Sequence, residues 1–374
     1  MFVAGINEQA LAAVSLAFPI TTLMNALSVW IGVGVNVLIA GYLGQKNQQK
    51  ANSAAALGVV ISVVVGVLIN LLSLFIINPY YSAFTQNKEI FEYGIAYMSV
   101  CVFMQIPNMV HIVIQKILQA TGNMIAPMWF QIAGVVFNFV FDPLLIFGIG
   151  PFPKMGVVGA AVATVLGYVV STIILTKQKV KPLFKNCLEP QMIKLIFSYG
   201  LPSFVMNALG AFTVNFANMF LVRYSDTAVA FFGAYFKVQQ LIFMTVNGLI
   251  QGCLPIMRFN YRAKEYGRLK QANKSGTIIA TVMMIVGMLL VLIFPKEILF
   301  LFSASEEMCA FGVPAMRIMS LGFVFSGFSA MIATYEQATD SIMPGVVVQL
   351  LRQGVLLVPV IWLLNSAVQM TGIW

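Results

Sequence analysis

The sequence predicts an all-α, polytopic helical membrane protein, and three observations carry that prediction. Hydrophobic residues make up 60% of the 374 positions and charged residues only 9%, a balance far outside that of soluble domains. Mean hydropathy is correspondingly high at +0.91. Apolar runs of about 20 residues recur along the whole chain, which is the length a helix needs to cross a bilayer core. The cations, finally, cluster in the segments between those runs. A membrane β-barrel would show short segments of alternating polarity instead.

Taken in order, the predicted spans are residues 10–43, 54–77, 93–119, 127–147, 157–176, 197–222, 228–255, 276–294, 312–336 and 346–364. A removable signal peptide is not expected, because residues 1–6 have neither a basic start nor a cleavage site. If the spans alternate, one side holds Lys46 and Lys50, the five lysines from Lys177 to Lys194, and six cations from Arg258 to Lys274. The other side holds Lys88, Lys154, Arg223 and Lys296. The richer side is cytoplasmic by the positive-inside rule, so the net charge of +9 reads as membrane topology and not as a nucleic-acid partner. Cys101, Cys187, Cys253 and Cys309 show no paired spacing, so neither a disulfide framework nor a metal knuckle is indicated.

The third span carries a polar stripe. Gln105, Asn108, Gln115 and Gln119 recur at three, seven and four residues along one face. Two readings stay open for them: a cavity wall facing the next span, or hydrogen bonds that hold the bundle together. His111, the single histidine, sits off the stripe and reads as packing or a local hydrogen bond. Lys116, Arg317 and Arg352 lie near span ends, where long side chains can snorkel, and read as anchors.

The fourth span, APMWFQIAGVVFNFVFDPLLIF, holds a carboxylate within a lipid-length run. Gln131, Asn138 and Asp142 share a helical face, spaced seven and then four apart, and the other faces are almost wholly apolar. Pro143 follows the acid and removes the helical donor to the Phe139 carbonyl, so the backbone can bend there. An ionised Asp inside a membrane costs several kcal/mol unless it is paired, hydrated or protonated, which makes Asp142 a functional-site candidate by default. The plainer alternative is a hydrogen-bonded structural Asp near the membrane surface.

Compared with itself at a shift of 218 residues, the chain aligns without gaps through several spans. Phe84, Glu89, Gly94 and Met98 meet Phe302, Glu307, Gly312 and Met316; Gln119-Ala120-Thr121 recurs as Gln337-Ala338-Thr339; Gly34 and Gly58 meet Gly252 and Gly276. The shift implies six plus six spans in the complete architecture, with the first and last outside this chain and both halves in one orientation. The expected domains are therefore residues 1–176, a basic cytoplasmic linker at 177–194, and residues 195–374. Asn138 and Asp142 have no polar counterparts in the second half, which has its own cation, Lys237, where the first half has Pro19.

Absent motifs exclude other classes. No Walker-type glycine loop is present to drive transport with an ATPase, and no HExxH, paired-aspartate or Ser/His constellation indicates an enzyme.

Four stretches, EQALAAVSLAFPI, QKILQATGNMIAPM, NFVFDPLLIFGIGPFPKMGVVGAAVAT and YFKVQQLIFMTVNGLIQGCLPIMRFNYRA, together resemble the multidrug and toxic compound extrusion (MATE) family, in particular its DinF-like branch. The most specific of them is Asn138-x-x-x-Asp142-Pro143 followed by GVVGAAVAT. The resemblance implies two six-helix lobes in a V around a cavity, exporting cationic amphipathic compounds by antiport with H⁺ or Na⁺ across the cell membrane. It also implies that Asp142, Asn138 and Thr164 form the cation-coupling site. Gln105, Asn108, Gln115, Gln131 and Lys237 are the residues expected to line a substrate cavity. No cofactor beyond the coupling ion is expected; the partners expected are cationic small molecules and the lipid bilayer, with the chain a monomer. Two departures stand out: the family's first-span Asp belongs to a span this chain lacks, and FNYRAKEYG has Arg262 where a small residue is common. A lipid-linked precursor flippase on the related fold is the alternative; it would need several cavity cations, for which Lys237, Arg317 and Arg352 are the candidates.

Overall fold

The computed structural model describes residues 8–85, 87–103, 105–148, 153, 155–156, 158–159, 162, 166, 189–221, 226–302, 305–351 and 359–360. Residues 177–188 of the expected 177–194 linker, nearly all of the 157–176 span and most of 346–364 lie outside the described residues. The described residues form helices joined by short turns, with no strand among them. Six of these helices are long and apolar enough to cross a membrane, or seven if the α3–α4 pair introduced below counts as one span.

Residues 1–204 form one compact unit and 205–374 another. In the first, α1 (Glu8–Gly44) packs against α2 (Gln48–Phe84), α3 (Lys88–Phe103) and α4 (Gln105–Ala120), and α5 (Ile125–Phe147) packs on α4. Helix α6 (Pro190–Leu221) begins in this unit. Its first turns lie so close to α1 that a Cβ at Gly34 would overlap the Ile196 carbonyl. The Trp30 indole N–H donates to the Phe197 carbonyl at 2.7 Å, and its ring stacks on Phe204 at 4.5 Å. Small residues at such crossings permit van der Waals contact, which is the main attraction available between helices in lipid.

The second unit contains α7 (Asp226–Arg262), α8 (Tyr266–Ile293), α9 (Pro295–Phe300), α10 (Glu306–Ser320), α11 (Gly322–Ala338) and α12 (Ile342–Leu350). The repeat read from the sequence is visible helix by helix. Helices α1 and α7 end 218 positions apart, at Gly44 and Arg262, and the same spacing separates the starts of α2 and α8 and of α3 and α10. Even the strained turn residues recur: Lys46 (φ 58°) matches Lys264 (φ 62°), and Gly122 (φ 84°) matches Asp340 (φ 65°). The halves differ where Pro295 falls. Lacking an N–H and fixing φ, it starts a new helix, so α8 and α9 replace the single continuous α2.

Candidate functional site

Helix α5 has two unlike sides. Ile125, Trp129, Ile132, Val136, Phe139 and Val140 are exposed along one stripe, which suits contact with lipid tails. Phe130, Leu145 and Ile146 are buried on another. Asn138 and Asp142 are half-buried, one turn apart, and Phe137 stacks on Phe141 at 4.0 Å between ring centroids beside them. The chain after α5 returns to its end: Gly148 caps it at φ 70°, and the Met155 N–H donates to the Leu145 carbonyl at 2.9 Å. Gly159, from the GVVG motif, approaches that same carbonyl within reach of where a Cβ would stand, 2.6 Å away. A side chain at 159 would wedge the segment away from the turn that carries the acid.

The Oδ1 atoms of Asn138 and Asp142 are both shielded and lack a hydrogen-bond partner among the described residues. A shielded oxygen of this kind accepts only from what arrives: a proton, a bare cation or a donor on a bound molecule. Two of them on consecutive turns, on a helix whose Pro143 cannot donate to the Phe139 carbonyl, form an oxygen seat with the chemistry to accept a cation. Among the described residues no group of three or more His, Cys, Asp or Glu could hold a metal ion. Thr164 lies outside the described residues.

The polar stripe on α4 divides. Gln105 is buried and donates to the Met24 carbonyl at 3.1 Å and to Ser28 Oγ at 2.9 Å, while Asn108 donates to Gln105 Oε1 at 3.3 Å. Gln105 thus fastens α4 to α1, the bundle-holding role left open above, and Asn108 braces Gln105 from within α4. Gln115 reaches α5, donating to Gln131 Oε1 at 3.0 Å. Gln119 accepts from Lys116 Nζ at 3.0 Å. Lys116 is itself buried, 8% exposed, so its expected role as a snorkelling anchor is corrected: neighbouring helices cover it, and Asn36 donates to its carbonyl at 2.9 Å. Lys237 is an exposed residue of α7 in the other unit.

Sequence reasoning also misplaced Arg258, counted there as a loop charge. It is 1% exposed, and its guanidinium donates to the Ala338 carbonyl at 3.1 Å and to Asp340 Oδ1 at 2.7 Å. Arg262 reaches the other Asp340 oxygen at 3.3 Å. The departure at Arg262 thus has a local reason, since it shares one carboxylate with a buried partner. Nothing in the one-dimensional pattern joined positions 258 and 340; the shared repeat register of the two turns was the available signal.

The MatE family profile matches residues 1–144 and 202–363. The chain belongs to the MatE family. MATE proteins are transporters, and this one is a multi-pass protein of the cell membrane. It is 26% identical to the multidrug export protein MepA of Staphylococcus haemolyticus, over 98% of this chain and 81% of that protein. It is 25% identical to MepA of Staphylococcus saprophyticus, over 98% and 82%. Among solved structures, an outward-facing multidrug resistance MATE transporter of the MOP superfamily superposes with a TM-score of 0.93 at 23% identity, covering 100% of this chain and 84% of the other. A MOP superfamily transporter from Pyrococcus furiosus gives 0.92 at 23% identity, with the same coverage.

Proposed function

We propose that this MATE chain exports cationic, amphipathic small molecules, and that inward movement of H⁺ or Na⁺ through the α5 seat drives the export. The observation that supports this is the pair of shielded, unbonded oxygens of Asn138 and Asp142. The relatives' description as multidrug export proteins suggests the substrate class. An ionised Asp142 attracts an organic cation or Na⁺; a protonated or Na⁺-occupied one holds the organic cation weakly, so the two cargoes compete for one charge. Asn138 orients the seat with a neutral amide. The cycle calls for no covalent chemistry and no cofactor beyond the coupling ion, and a monomer suffices.

The test is ethidium efflux from a drug-sensitive host over a range of outer pH. Asp142→Asn, a fixed mimic of the protonated acid, abolishes pH-dependent efflux while insertion into the membrane is retained. Asn138→Ala weakens efflux less, because it removes an oxygen but no charge. Wild-type efflux by Asp142→Asn, with unchanged dependence on the ion gradient, would place the coupling charge elsewhere.

A further inference from the structure

The turn between α7 and α8 is more basic than topology requires. Lys264, Arg268, Lys270 and Lys274 are exposed within eleven residues, and Glu265 is the single acid among them. Arg258 and Arg262, just before, are already engaged by Asp340. Below the exposed cations, α8 buries Leu269, Gly276, Ala280, Met284, Gly287 and Val291. It leaves Ile279, Val282, Val286 and Leu289 exposed on a different face. Arg268 stands three turns before Ile279 and five before Val286, so helical geometry sets it on the same line as that exposed stripe. The axial distance from Arg268 to Ile279 is about 16 Å, a span that an extended arginine and a phospholipid headgroup bridge together.

The other half of the chain supplies an internal comparison. At the equivalent turn Lys46 and Lys50 are exposed at the positions of Lys264 and Arg268, and Val64, Leu68 and Leu71 repeat the exposed stripe. Asn52 and Ala56 stand where Lys270 and Lys274 do. The arrangement of cations over a lipid-facing stripe therefore recurs with half the charge.

We propose that the α7–α8 turn seats an anionic phospholipid, its phosphate-bearing headgroup held by Lys264 and Arg268 above the stripe, with Lys270 and Lys274 adding their field from the neighbouring side of the helix, and an acyl chain laid along Ile279, Val282 and Val286. The α1–α2 turn is a weaker copy of the same seat. Charge complementarity selects an anion, and the apolar stripe continuous with the cations selects a lipid over a soluble phosphate. Each basic residue close to an anionic surface strengthens binding by roughly 5-fold, so loss of all four weakens it by roughly 100-fold or more.

The experiment titrates the purified full chain in detergent with fluorescent phosphatidylglycerol, using fluorescent phosphatidylcholine as the neutral control. Phosphatidylglycerol binds at least 10-fold more tightly, and its affinity falls steeply between about 0.1 and 1 M salt as exposed charges are screened. The fourfold variant Lys264→Gln/Arg268→Gln/Lys270→Gln/Lys274→Gln loses the preference, Lys46→Gln/Lys50→Gln loses much less, and Lys270→Arg/Lys274→Arg keeps it. If the fourfold variant fails to fold, Arg268→Gln alone and the salt dependence of the unaltered protein decide. Equal binding of the two lipids, a preference that survives the basic-to-Gln substitutions, or displacement by inorganic phosphate at matching concentrations would each overturn the proposal.

Discussion

Replacing Asp340 by Asn keeps the shape of the side chain and its tolerance of the left-handed backbone (φ 65°) while removing the charge that faces Arg258. The guanidinium is 1% exposed and sits 2.7 Å from Asp340 Oδ1, so its charge stays buried when its partner becomes neutral. A charge-assisted hydrogen bond contributes roughly 1.5–3 kcal/mol and a neutral one roughly 0.5–1.5, a difference of about 1–2 kcal/mol. Loss of the half-exposed Arg262 pairing adds at most about 1 kcal/mol. The retained Ala338 carbonyl prevents the larger penalty of an abandoned buried charge. Asp340→Asn therefore destabilises the protein by about 2 kcal/mol, measured as detergent-monitored unfolding of the purified chain. Adding Arg258→Met gives a double variant less damaged than the sum of the singles, with a coupling of about 2 kcal/mol. The first half already carries a neutral solution at these positions, Ala40 and Gly122. Stability unchanged within about 0.5 kcal/mol in Asp340→Asn, or strictly additive singles, would refute the clamp.

Other outcomes follow from the repeat and from the charge map. Gly34→Ala drives a methyl into the Ile196 carbonyl and costs about 2–4 kcal/mol, whereas Gly252→Ala, at the equivalent position with nothing within 4 Å, is near neutral; thermal unfolding of the two variants side by side tests this. Cysteines introduced at Lys46 and Lys264 react with an impermeant reagent only after intact cells are opened, because the basic turns face the cytoplasm; labelling from outside would reverse the topology.

Much of the membrane fold was legible before any coordinates. Lipid-length apolar runs fix helices because an unpaired backbone group is intolerable in hydrocarbon, and a helix satisfies its own groups locally. The repeat was legible too, since it needs only identity at constant spacing, and it carried through to the positive-φ pairs Lys46/Lys264 and Gly122/Asp340. Asp142 was found because a carboxylate in an apolar run is anomalous whatever surrounds it, and Asn138 because it lies one turn away on the same face.

What tertiary structure decided was which polar residues face each other. Gln105, Asn108, Gln115 and Gln119 share one helical face, and periodicity cannot tell a cavity wall from an interhelical seam. The neighbours chosen by packing sent Gln105 to α1, with Asn108 bracing it, and Gln115 to Gln131 on α5. Lys116 and Arg258 looked like outward-reaching cations by position along the chain, yet both are buried, because helices distant in sequence close over them; Gln119 on the same helix accepts from Lys116, and Ala338 and Asp340 accept from Arg258. A sequence by itself specified the charge at each of these positions; whether water or protein surrounds that charge depends on contacts some 80 residues apart, which only the folded chain brings together.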